Sequence, residues 1–202
     1  MEKKDFKNEK LFLEGLDVRG PVDFVNTKYN FSLTELTQID PAYLFVYSAN
    51  LYEDNKKDDA LFWFYVAQYR AKIIGTMENK NSIIGEKLYK TIAADADVPV
   101  IGKVVVVGNG ISREYLYNYI HSGLGPIINC YAGSNIDNWI SQMQKVLAFE
   151  KENPFDPFKA VPIGQLDASK LNEAKERAEG LAGLIDYIQT NKAEFEKHSN
   201  KM

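Results

Sequence analysis

Cys130 is the only cysteine of the chain, and His121 and His198 are its only histidines. A thiol nucleophile needs a histidine base within hydrogen-bond reach and a third group to orient that base. His121, Asn129 and Cys130 stand close together in the sequence. Their order and spacing match no thiol-protease signature, and no base-orienting pair accompanies them. The expectation is a packed histidine and a small buried thiol, with no catalytic residues. A single cysteine also excludes an intramolecular disulfide and any multi-cysteine zinc site.

Gly108-Asn109-Gly110 follows a valine-rich run, KVVVVGNG, and precedes a helix candidate. A dinucleotide-binding turn requires G-x-G-x-x-G, where the last glycine lets helix and strand approach closely. Arg113 stands at that third place, and no second βαβ unit follows. A plain turn is expected, and no cofactor.

Glu53, Asp54, Asp58 and Asp59 crowd one helix-to-helix connection, LYEDNKKDDA. A calcium loop does not fit, because Lys56 and Lys57 stand where ligands and a glycine are needed, so no metal is expected. Two readings remain: a solvated, capped turn, or an acidic contact patch for a basic protein partner. On the second reading these four carboxylates are the partner-binding residues. Gln68-Tyr69-Arg70 ends the aromatic run that follows, and an arginine among so many rings is expected to stack on them or to reach a buried carbonyl, a structural role.

The segments that carry these groups read mainly as helices. Residues 11–31 look extended, with Gly20-Pro21 breaking any helix, and Ser32 to Glu35 reads as a capping box. Asp40-Pro41 opens the first strong helix as N-cap and first-turn proline. It sets Leu44, Tyr47, Ser48 and Leu51 on one face and ends near Glu53 to Asn55. Asp58 or Asp59 is expected to cap the next helix. There Leu61 to Val66 are apolar or aromatic around most of the circumference, which places that helix at the centre of the core.

Further helices are predicted over 82–94, with Leu88 and Ile92 inward, and from Ser112 or Arg113 to a stop at Gly123, Gly125 and Pro126. Residues 103–108 between them read as a strand or a buried loop, with the strand favoured by the β-branched run. Ser134 or Asn135 caps an amphipathic helix to about Glu152. A loop over 153–166 is pinned by Phe155, Phe158 and Val161. The last helix runs from Asp167 to about Lys197, with a stripe from Leu171 to Ile188, a Glu173–Arg177 pair, and Gly180 and Gly183 permitting either close approach or a bend. The expected fold class is thus mainly α: a single-domain helical bundle over 1–202, with a central aromatic-rich hairpin, one or two short β or extended segments, and flexible tails at 1–10 and 198–202.

Composition narrows the function classes. At 202 residues the chain can bury a sizeable core. A net charge of −4 and a pI near 5.3 disfavour nonspecific nucleic-acid binding, which needs a basic surface. The longest apolar run, Ala60 to Ala67, is too short to span a membrane. The start, MEKKDFKNEK, has no apolar core of a secretory signal. A cytoplasmic location is expected, or a periplasmic one if a leader was removed before residue 1.

Two resemblances come from these residues. Leu44, Tyr47, Ser48 and Leu51, then Ala60, Phe64 and Ala67, resemble one tetratricopeptide hairpin. Lys72 stands where that repeat ends in proline, and no second copy follows, so a single hairpin of similar packing is implied rather than a solenoid. The segments DDALFWFYVAQYRAKI and GPIINCYAGSNIDNWISQMQKVLAFEKENP resemble small helical bacterial proteins of the kind found as immunity proteins beside antagonistic toxins, and residues 95–110 depart from that pattern. The resemblance implies a non-catalytic protein that occludes a basic toxin domain. The alternatives are a helical adaptor or assembly factor using the hairpin as a peptide groove, and an enzyme of unrecognised carboxylate or tyrosine chemistry.

Overall fold

Asp40 and Pro41 start the first helix as their types dictate. The Asp40 carboxylate accepts the Ala42 amide at 2.9 Å, and Pro41 occupies the first turn, where no donor is needed. The computed structural model describes residues 37–79, 112–161 and 164–199. The extended segment 11–31, the capping box at 32–35, the helix over 82–94, the strand over 103–108 and the N-terminal tail lie outside the described residues.

Helix α1 spans Pro41–Glu53 and α2 spans Lys57–Met77. Asn55 joins them at φ 63°, a left-handed conformation that asparagine tolerates. The amides of Asn55 and Lys56 reach back to the carbonyls of Tyr52 and Leu51 at 3.1 and 2.8 Å. This is a Schellman closure with asparagine in the usual glycine place. It delivers the chain straight into α2, so Asp58 and Asp59 lie inside the first turn rather than capping it. The N-cap position is Lys56, which makes no side-chain capping bond. Both carboxylates still favour the positive end of the helix dipole.

The two helices cross at a small residue. Ala60 is fully buried, and the Ser48 hydroxyl donates to its carbonyl at 2.6 Å. Phe45 and Phe64 meet edge to face one turn further on, at 5.6 Å. Helix α2 touches more of the bundle than any other described helix, packing against α1, α3, α4 and α6. The aromatic-rich hairpin is therefore central, as its all-round apolarity predicts.

Helix α3 runs over Arg113–Gly133 and does not stop at Gly123, Gly125 or Pro126. Proline inside a helix costs about 3 kcal/mol through the lost amide bond and the ring clash. Leu124 and Ile128 are buried beyond the expected stop, extending the stripe of Leu116 and Ile120 at every fourth residue. Each contributes roughly 1.5–3 kcal/mol, so burial outweighs the local penalty.

Asn135 caps α4, Ile136–Glu152, by accepting the Asn138 amide at 3.0 Å. The connection after it holds one short helix, α5 (Pro157–Ala160), and Phe155 and Val161 are buried as expected. The C-terminal region is broken where one continuous helix was expected. A 3-10 turn at Ala168–Lys170 leads to α6 (Leu171–Ala178), α7 (Gly180–Thr190) and α8 (Lys192–Ser199). The breaks have a packing cause: α6 lies on α2 while α7 lies on α4. A straight helix would carry its apolar stripe off one of those surfaces. A Cβ added at Gly180 or Gly183 would meet nothing within 4 Å, so neither glycine serves a close approach. Helix α8 runs to Ser199, and residues 200–202 of the expected C-terminal tail lie outside the described residues.

Among the described residues the sole β-type pairing is an isolated antiparallel bridge between Glu78 and Leu166. None of the described helices is long and apolar enough to cross a membrane.

Candidate functional site

The four predicted contact carboxylates divide into two roles. Asp58 is structural: its Oδ1 accepts from the Tyr131 hydroxyl at 2.6 Å and from the Asn138 side-chain amide at 2.7 Å. The Tyr131 hydrogen bond, then that of Asn138, holds the carboxyl below its ordinary range, and the Tyr131 phenol is pushed up to about 12. The neighbouring Lys57 ammonium lies over the rings of Tyr52 and Tyr131, at 5.5 and 5.6 Å from their centres. Glu53, Asp54 and Asp59 project to solvent, and none of the three makes an ion pair among the described residues. The turn thus presents three carboxylates on a backbone pinned by α3 and α4.

An aromatic group adjoins it. Tyr47 of α1, Phe62 and Trp63 of α2 and Phe149 of α4 meet edge to face, with ring centres 5.1–5.7 Å apart. All four are half-buried. Asp59 borders them: burial and then its negative charge raise the Tyr47 phenol.

Two buried ion pairs tie the helices that hold these surfaces. Arg70 Nε contacts Glu150 Oε1 at 2.7 Å, and the guanidinium lies between the rings of Phe155 and Phe149, at 4.9 and 5.6 Å. The structural role expected of Arg70 is what the geometry shows, with a carboxylate in place of a carbonyl. Burial pushes the Glu150 carboxyl up to about 7 despite the arginine.

Arg113 Nε contacts Asp40 Oδ2 at 3.1 Å, Tyr117 donates to Asp40 Oδ1 at 3.0 Å, and Arg113 also bonds Gln165. Burial raises the Asp40 carboxyl, and Arg113 and the donors around it oppose that shift. Glu78 completes the junction by accepting the first two amides of α3 at 2.7 and 3.1 Å.

His121 and Cys130 do not form a site. They stand nine positions apart on α3, which is about 13 Å along the axis and half a turn around it. Cys130 is exposed rather than buried, because continuing α3 past Pro126 puts Ile128 and Ala132 inward and the residue between them outward. Asn129 accepts the Tyr65 hydroxyl at 3.2 Å, and Tyr65 in turn accepts the Trp139 indole at 2.8 Å, a core bond. His121 is packed, as expected. It stacks on Phe64 at 5.3 Å, and its Nε2 lies 3.1 Å from the Gln68 side-chain nitrogen. Burial, and then Lys72, hold the imidazole below its usual range. No group of histidine, cysteine and carboxylate side chains among the described residues is arranged to hold a metal ion.

His121 also faces a cleft that the sequence does not announce. It has a volume of about 610 Å³ and lies where faces of α2, α3 and α6 converge. Lys72, Glu114, Lys170, Glu173 and Arg177 open into it, over a floor that includes Phe45 and Tyr117. Within each segment these residues recur at helical spacing, which is the one signal available beforehand. Asp58 to Lys72 is about 21 Å along α2, so the cleft and the acidic turn are separate surfaces.

Comparison with known protein families, with curated proteins and with solved structures finds no match to this chain. Its class rests on the geometry above: a mainly α helical bundle built around an aromatic hairpin.

Proposed function

We propose that this chain is a non-catalytic protein-binding protein of the immunity type, which covers a basic surface of a bacterial toxin with its acidic hairpin turn. The observation that carries the reading is the anchoring of Asp58 by Tyr131 and Asn138, which fixes the backbone from which Glu53, Asp54 and Asp59 project. A preorganised acidic edge loses little freedom on binding and steers a basic partner during encounter. The half-buried rings of Tyr47, Phe62, Trp63 and Phe149 supply the aromatic contact that interfaces concentrate beside a charged rim. The net charge of −4 favours a basic protein over nucleic acid.

The adaptor reading requires a peptide groove running along the hairpin, and packing of α3, α4 and α6 against α2 favours the acidic turn over that reading. The test is capture from the native bacterial lysate with this chain as bait, beside the Glu53→Lys/Asp54→Lys/Asp59→Lys variant. The expected result is one stoichiometric partner, held by the parent chain, lost by the variant, and toxic when freed of it. Equal retention by both baits removes the acidic turn from the interface. Turnover of a substrate by the purified chain alone overturns the non-catalytic reading.

A further inference from the structure

The cleft between α2, α3 and α6 plays no part in that interface, and its charge runs against the rest of the molecule. The chain carries −4 overall, yet Lys72, Lys170 and Arg177 face Glu114 and Glu173 in the cleft, three cations against two carboxylates. Arg177 already holds Glu173 at 2.7 Å, and the planar fork keeps further N–H donors available. The side chains of Lys72 and Lys170 make no ion pair or hydrogen bond among the described residues. Two ammonium groups not locked in an ion pair thus line one concave space, with Glu114 the carboxylate beside them that Arg177 does not hold.

The interior is of a different kind. Phe45 and Tyr117 give it an apolar floor, and the His121 ring, stacked on Phe64 and tied to Gln68, forms a flat wall. A volume of about 610 Å³ is that of a small-molecule site. Most of the remaining lining is polar or charged, so the apolar surface is concentrated in this floor and wall.

We propose that this cleft binds a small anion, a carboxylate or phosphate borne on a compact apolar or planar body. Lys72, Lys170 and the outer edge of Arg177 take the anionic group, and Phe45, Tyr117 and His121 contact the body. The shape and charge do not distinguish a carboxylate from a phosphate, so both are tested. The site stands or falls independently of the acidic turn, which none of these residues touches.

The full chain is titrated with pyrophosphate and, separately, with citrate at constant ionic strength, and the imidazole proton resonances are followed by NMR. The chain has two histidines, and His121→Gln assigns them. The expected result is a saturable shift of the His121 resonance in the millimolar range or below with at least one probe, while His198 stays still. Which probe saturates names the anion class. Affinity is expected to fall about tenfold or more in Lys72→Ala/Lys170→Ala. Arg177→Gln, at an exposed position on α6, gives a second reading should that double variant prove unstable. No saturable shift with either probe overturns the proposal. So does an equal shift in both variants, or a parallel drift of both histidines, which reports bulk ionic effects only.

Discussion

The hydroxyl of Tyr131, near the end of α3, donates to Asp58 Oδ1 in the first turn of α2 at 2.6 Å, across a sequence separation of 73 residues. One bond therefore couples the acidic connection of the hairpin to the far end of a neighbouring helix. Tyr131→Phe is expected to destabilise the protein by about 1 kcal/mol or less, because the pair is exposed. Its larger effect falls on the turn, whose charge is unchanged but whose Asp58 then keeps only the Asn138 anchor. Amide hydrogen exchange over residues 53–59 checks this, with faster exchange in the variant expected.

Arg70 and Glu150 form a pair that burial makes costly to break on one side. Arg70→Ala leaves a carboxylate without its partner in the core, and a loss of about 3–5 kcal/mol is expected. Replacing both residues together, as Arg70→Met with Glu150→Leu, removes both charges and is expected to cost far less than the single change. Denaturant unfolding of the three variants gives the comparison.

The same carboxyl makes stability depend on pH. Its folded value is raised from the ordinary 4.5 to about 7, so the native state holds this proton more tightly than the unfolded chain. The contribution is complete below about pH 4.5 and is lost as the pH rises through about 7. The unfolding free energy of the parent chain should fall across that window relative to Glu150→Gln, which cannot titrate. A constant difference between the two from pH 4.5 to 7 would show that Glu150 is not desolvated as described.

Pro126 lies exposed inside α3 and deprives Ser122 of a backbone donor, while the Ser122 hydroxyl bonds the Asn118 carbonyl at 2.7 Å. Pro126→Ala is expected to raise stability by roughly 1–3 kcal/mol, read as a higher midpoint of thermal unfolding. No change, or a fall, would mean that the proline shapes the helix to its neighbours.

How much of this was legible beforehand follows from the range of the forces involved. The caps at Asp40 and Asn135, the buried face of α1 and the central position of α2 depend on neighbours within a turn or two, and the sequence displays them directly. The continuation of α3 through Pro126 does not, because it depends on burying Leu124 and Ile128 against segments far away in the chain. The same error of range turned Cys130 inward. The breaks at Glu179 and Asn191 follow from α6 and α7 packing on different helices, which no local pattern records.

Of the acidic residues, the sequence shows the cluster but not that Asp58 is committed to Tyr131 and Asn138. The cleft escaped altogether. Lys72, Glu114 and Arg177 each sit on an ordinary polar helix face, and only the packing of three helices brings them together.

If three carboxylates on a pinned turn engage a basic protein, as we propose, the association rate of the captured partner must depend on salt. The parent chain should bind fast at low ionic strength, with a rate that falls steeply as salt is added. Glu53→Lys/Asp54→Lys/Asp59→Lys should slow association by at least about tenfold at low salt and flatten that dependence. A partner whose association rate is the same for both chains, at every salt concentration, would contradict the account.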